Sequence, residues 1–174
     1  MPNLPTRRFG RTELPIPLLS LGGMRFQQSW TDLPASEITS DSQANLQATL
    51  QRATQLGLHH IETARHYGSS ERQLGWAFPT TPDPTRILQS KVPPREDPDA
   101  FEAELALSFE RLGCQRLDLL AIHGINLPEH LEQTLRPGGC REVVRRWQAD
   151  GRIGHVGFST HGPTDVIVAS CNSG

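Results

Sequence analysis

The sequence predicts an α/β fold built on a parallel sheet. Five short apolar segments alternate with segments of helical periodicity, and strands that alternate with helices pair in parallel. One segment, LDLLAIHG at 117–124, is an almost continuous apolar run, which suits a strand covered on both faces. The length of 174 residues fits one domain at roughly 150 residues per domain, and 1–174 is read as a single domain.

The elements follow in order. Residues 7–17, RRFGRTELPIP, predict a short polar hairpin turning at Gly10-Arg11, and LLSLGGM at 18–24 predicts the first sheet strand, ended by two glycines. After an irregular polar stretch, Ser40 or Asp41 caps a helix with Leu46, Leu50 and Ala53 on one face, stopped by Gly57. HHIETA (59–64) is the second strand, SSERQLGWAF (69–78) a short helix, and RILQSKV (86–92) the third strand, halted by Pro93-Pro94. Asp97 or Asp99 caps a long amphipathic helix closed by Gly113. The fourth strand is 117–124, followed by helices near 128–135 and 139–149; IGHVGFS (153–159) is the fifth, and Pro163-Thr164-Asp165 opens a last helix.

Two architectures fit this order. A complete open doubly wound sheet usually carries a GxGxxG turn after its first strand, and this chain has LGGMRFQQ there. A (β/α)₈ barrel takes roughly 250 residues, so the chain would be a partial barrel holding strands one to five and the N-terminal hairpin. Local patterning leaves both open.

Composition narrows the function. With 36% hydrophobic residues, and 15 Gly and 14 Pro together about 17% of the chain, it lies below the roughly 25–30% Gly plus Pro of low-complexity or disordered chains. A net charge of −2 gives no reason to expect a nucleic-acid or anionic-membrane partner. No apolar run approaches the roughly 18 residues of a membrane span, and MPNLPTRRFG lacks the apolar core of a signal peptide. Cys114, Cys140 and Cys171 have no CxxC spacing, so neither a disulfide framework nor a zinc site is expected. The reading is a cytoplasmic protein with reduced thiols and no metal. His59-His60 invite a metal-pair reading, but they fall at the start of their strand and are read as structural.

The chain holds one tyrosine, Tyr67, and one lysine, Lys91, the other basic residues being arginine. In parallel α/β folds functional side chains gather at the C-terminal ends of the strands. Taken in turn, those ends carry Glu62 and Tyr67, Lys91, His123 and Ser159. An ammonium near a phenol favours the phenolate and lowers its pKa, a carboxylate holds the ammonium, and a neutral imidazole can donate to a substrate oxygen. Such a quartet suits protonation of the oxyanion that develops when hydride reaches a carbonyl, the hydride coming from a cofactor.

The stretch GLHHIETARHYGSSE (57–71), with QSK (89–91), LDLLAIH (117–123) and GFS (157–159), closely resembles the motifs of the aldo-keto reductases, and the resemblance runs from about residue 7 to the end. It implies a (β/α)₈ barrel and NADP(H)-dependent interconversion of small aldehydes or ketones and their alcohols. It implies Tyr67 as proton donor, Lys91 as the group that tunes its acidity, and His123 as the group that orients the carbonyl. Glu62 stands where the family commonly has Asp, a form like that of a bacterial branch. Gly23, Met24 and Ser159 fall at cofactor-binding positions, with Thr160 replacing the usual Asn beside the serine. The family grips the cofactor's pyrophosphate and adenosine phosphate with loops after strands six to eight. The expectation is therefore a truncated member, impaired in cofactor binding and activity. The alternative is a non-catalytic half-barrel that self-associates through exposed strand edges.

Overall fold

In the computed structural model, which describes residues 4–26 and 28–173, two sheets are present. The hairpin pairs β1 (Thr6–Arg8) antiparallel with β2 (Pro15–Pro17). The main sheet contains β3 (Leu21–Gly22), β4 (His60–Glu62), β5 (Ile87–Val92), β6 (Leu117–Ile122) and β7 (Ile153–Phe158), all parallel, in the order β3-β4-β5-β6-β7. That order decides between the two predicted architectures. A doubly wound sheet reverses its strand order at a switch point, whereas a barrel adds each strand beside the last. The sheet is a partial (β/α)₈ barrel.

Helices α1 (Ser40–Gln55), α2 (Ser70–Ala77), α3 (Pro98–Leu112), α4 (Pro128–Leu135), α5 (Cys140–Ala149) and α6 (Thr164–Cys171) connect and follow the strands. The α1 cap is Thr39 rather than the predicted Ser40 or Asp41: Thr39 has extended backbone and its Oγ1 accepts from Ser42 N at 3.2 Å, the geometry an N-cap requires. Asp97 caps α3 as one of the two predicted candidates, accepting from Asp99 N at 3.0 Å. The first sheet strand is much shorter than the predicted 18–24. Leu18 still belongs to the hairpin, giving its N–H to Pro5 O at 2.9 Å, and Gly23 begins a 3₁₀ turn; only Leu21–Gly22 joins the ladder.

Strand alternation sends sheet side chains to two opposite faces. Ile61, Leu88, Val92 and Leu120 face the helices and pack with Leu46, Leu50, Leu74, Phe101, Leu105, Val143 and Trp147 in the main apolar cluster. Each large apolar side chain so buried stabilises the fold by roughly 1.5–3 kcal/mol. Ile87 and Leu119 on the other face pack with Ile16 of the hairpin and Leu14, so the hairpin covers the end of the sheet where the strands begin. The α2–α3 crossing depends on Gly75, where a Cβ would lie 2.1 Å from Arg111 O. No helix among the described residues is long and apolar enough to cross a membrane.

Candidate functional site

The interior face of β4 and β5 is polar rather than aliphatic. Toward the strand starts, His60 is buried between Ser20 Oγ (Nδ1, 2.7 Å) and Gln89 Oε1 (Nε2, 3.0 Å). His59 turns elsewhere, to Asp83 Oδ2 at 2.8 Å; the adjacent histidines therefore do not converge. One step further along the same face, Glu62 pairs with Lys91. His60 and Glu62 are two residues apart, as are Gln89 and Lys91, so strand period two stacks one polar pair on the other.

Backbone hydrogen bonds carry the chain past the end of β4 to Tyr67. Thr63 N donates to Gln89 O (2.9 Å) and Arg65 N to Lys91 O (2.8 Å); then Tyr67 N donates to Ala64 O and Ser70 N to Tyr67 O, turning the chain into α2. Gly68 at φ 52° supplies the left-handed step of this turn. At the end of β6, His123 N donates to Val92 O at 2.8 Å. Tyr67, Lys91 and His123 thereby meet at the C-terminal rim: Lys91 Nζ lies 4.6 Å from the Tyr67 ring centroid, and the Tyr67 and His123 rings stand edge to face with centroids 5.7 Å apart. His66, exposed, is the second imidazole there, 6.5 Å from His123.

Burial sets the protonation states. Lys91, 5% exposed, also donates from Nζ to Thr63 O at 3.0 Å, and desolvation pushes its pKa down to about 8. His123 is pushed down to about 4, first by burial and then by the positive charge of Lys91, so it is neutral at neutral pH. Tyr67 is raised by burial. That direction corrects the expectation from the sequence, which had the ammonium lowering the phenol. The cation sits over the ring face, and the phenol hydroxyl has no hydrogen-bond partner among the described residues.

The three expected cofactor positions differ in what surrounds them. Ser159 is half-buried; its Oγ accepts from Gly124 N at 3.1 Å, leaving its own proton to donate. Thr160 Oγ1 is taken up locally, donating to Ile125 O (2.6 Å) and accepting from Gly162 N (2.9 Å). Met24 is exposed beside the rim. Gly23 is buried by packing: a Cβ there would lie 2.7 Å from Ser70 Oγ and 3.0 Å from Glu62 O.

A buried charge network lies just outside the quartet and was not legible in the sequence. Arg65 pairs with Glu71 and Asp32, Asp32 also pairs with Arg111, and Ser90 Oγ donates to Glu71 Oε1. Charged residues in a turn and an adjoining helix ordinarily read as solvated, and no periodicity marks these as buried. The one available signal is the place of Arg65 and Glu71 inside the 57–71 segment, on either side of Tyr67.

Comparison with known proteins gives a consistent picture. The sequence matches the family model described as "Aldo/keto reductase family" over residues 18–173. It is 30% identical over 144 residues to "Aflatoxin B1 aldehyde reductase member 2" of Mus musculus, covering 77% of this chain and 36% of that protein. The fold resembles an aldo-keto reductase from Bacillus halodurans, in a holo form, with TM-score 0.77 and 19% identity, over 98% of this chain and 55% of that one. It also resembles an aldo/keto reductase from Klebsiella pneumoniae in complex with NADP and acetate, with TM-score 0.71 and 24% identity, over 98% and 54%. The chain thus spans about a third of the curated relative (36%) and about half of these two structures (55% and 54%).

Proposed function

The chain belongs to the aldo/keto reductase family, and from that premise we propose that it carries the proton-donating half of an NADP(H)-dependent reductase of small aldehydes or ketones. The observation that carries this reading is the meeting of Tyr67, Lys91 and His123 at one rim, with Glu62 holding Lys91. The reduced nicotinamide, when bound, supplies the hydride.

Tyr67 is the proton donor in this reading, because burial keeps the phenol protonated at neutral pH. As negative charge grows on the carbonyl oxygen, the phenol proton moves to it and the phenolate stays behind. Lys91 Nζ over the ring then stabilises that phenolate, and Glu62 holds the ammonium in place. Neutral His123 can donate from a ring N–H to the same oxygen and so orient the carbonyl. Solvent returns the proton to Tyr67 after each turnover.

The residues present fit the nicotinamide end of the cofactor. Ser159 has an unspent hydroxyl proton for a carboxamide oxygen, and Met24 and Gly22 are exposed at the rim, with nothing within 4 Å of a Cβ built on Gly22. Gly23 serves packing instead.

A second reading, a non-catalytic half-barrel that self-associates, draws on one observation: β7 borders the sheet with Val156 38% exposed, and an open apolar strand edge invites pairing. Size-exclusion chromatography combined with an NADPH titration separates the two. NADPH binding and carbonyl-dependent loss of NADPH absorbance support the reductase. An oligomer that neither binds nor oxidises NADPH overturns it in favour of the scaffold.

A further inference from the structure

Five side chains around Tyr67, all but Asp32 buried or half-buried, have no part in the chemistry above. Arg65 is 5% exposed and Glu71 1% exposed. The Arg65 guanidinium is held on two sides: Nη1 pairs with Glu71, and Nη2 donates to Asp32 Oδ2 at 2.7 Å. Glu71 also accepts from Ser90 Oγ at 2.6 Å, and Asp32 Oδ1 accepts from Arg111 Nη1 at 2.7 Å. These contacts join β5, α2, the end of α3 and the loop before α1 at one point.

Stability alone does not account for such a cluster. Desolvating an arginine and a carboxylate costs several kcal/mol per ion, and a well-packed apolar group of similar volume often serves stability equally well. A charged network does fix one geometry, since each partner accepts only certain directions. What it fixes here is the turn bearing Tyr67. Arg65 N donates to Lys91 O, Ser90 is the neighbour of Lys91, and Glu71 lies in the first turn of the helix that Tyr67 leads into. Tyr67 is thus bracketed by Arg65 and Glu71, while its own hydroxyl has no protein partner among the described residues.

We propose that Arg65, clamped between Glu71 and Asp32, is a positioning residue that holds the Tyr67 ring under Lys91 Nζ and against His123. The proposal rests on the reading of Tyr67 as proton donor for its consequence in turnover. Its structural content stands apart from that reading.

The chain carries its own reporter, because Tyr67 is the only tyrosine and phenolate absorbance therefore titrates one group. Arg65→Met/Glu71→Gln removes both buried charges together and strands neither. A cooperative thermal melt is expected to persist, while the Tyr67 midpoint moves down toward the ordinary phenol value as the turn loosens and the ring gains water. Carbonyl reduction is expected to lose roughly tenfold in kcat at unchanged KM. Asp32→Asn, at the more exposed end of the clamp, is expected to shift the midpoint less and in the same direction, and it decides the matter if the double variant does not fold. A folded variant in which Tyr67 titrates as in the parent overturns the proposal. A shifted midpoint in a protein without carbonyl-reductase activity supports the positioning role and removes the proposed function instead.

Discussion

Lys91 Nζ lies over the face of the Tyr67 ring, 4.6 Å from its centroid, while the same ammonium is paired with Glu62 and donates to Thr63 O. A cation in that place acts on the π-face and gains strength when the ring becomes a phenolate. Its help is therefore larger after proton transfer than before it, which is the differential stabilisation that accelerates a step. Replacing Lys91 by Arg keeps the charge but widens the head group, and the space between Glu62 and the ring suits a compact ammonium. Lys91→Arg is expected to lower kcat by about one to two orders of magnitude while the melt stays cooperative. Steady-state kinetics with NADPH and a carbonyl substrate checks it, and parent-like turnover would contradict the role given to Lys91.

Tyr67→Phe removes one hydroxyl that no described residue uses. Stability is expected to change by no more than about 0.5 kcal/mol, the usual range away from buried networks. Loss of a general acid costs roughly 10²–10⁴-fold in rate. Paired denaturation and activity measurements test this, and a variant retaining activity within a few-fold of the parent removes Tyr67 from its role.

His123 gives the fold a pH dependence of known sign. Its folded pKa of about 4 lies below the ordinary value of 6.5, so between those values the unfolded chain binds a proton that the folded one does not. Its contribution to stability is complete above pH 6.5 and is lost as pH falls toward 4. The size is at most about 3.5 kcal/mol at roughly 1.4 kcal/mol per unit, less whatever solvent screens at this half-buried site. His60 and His66 are lowered too, first by burial, so the test is a difference: His123→Gln should flatten part of the stability–pH curve across that interval. A curve parallel to that of the parent would show that His123 does not titrate as described.

The rim was legible in the sequence because strand ends can be located by apolar runs, and the side chains beyond them collect on one side of a parallel sheet. Tyr67, Lys91 and His123 came from that logic and from the motifs around them. The strand order β3-β4-β5-β6-β7 was not legible in hydropathy, which sees each strand alone and says nothing about its neighbours; it was carried by the family motifs, which imply the barrel. Leu18 and Leu19 misled for a related reason: their apolarity reads as sheet, yet they are 54% and 58% exposed at the exit of the hairpin. The direction of the Tyr67 shift is set by burial of the phenol, which no spacing encodes.

Gly22 and Gly23 are adjacent and should respond differently. A Cβ on Gly22 meets nothing within 4 Å, whereas on Gly23 it would lie 2.7 Å from Ser70 Oγ and 3.0 Å from both Glu62 O and Thr63 Cβ. Ser70 is itself held by Thr63 Oγ1 and by Gly23 O, both at 2.9 Å, so it cannot swing away freely. Gly23→Ala is expected to destabilise by about 1–3 kcal/mol through overpacking, and Gly22→Ala by less than about 1 kcal/mol. Equal losses in chemical denaturation would mean that Gly23 is not fixed by packing.

Ser159 has two duties that one substitution separates. Its Oγ is the acceptor for Gly124 N, and its own proton is the group offered to the nicotinamide carboxamide. Ser159→Ala removes both, stranding a half-buried N–H at a cost of about 1–3 kcal/mol, so reduced stability alone says nothing about the cofactor. Ser159→Asn keeps a side-chain carbonyl that can accept from Gly124 N and adds an amide N–H to donate, whereas Ser159→Asp keeps an acceptor and has no proton at neutral pH. If the hydroxyl proton holds the carboxamide, NADPH affinity should fall by roughly tenfold in Ser159→Ala and further in Ser159→Asp, with Ser159→Asn closest to the parent. Isothermal titration with NADPH measures the order directly. Equal affinity in the Asn and Asp variants would assign Ser159 to the loop after β6 alone.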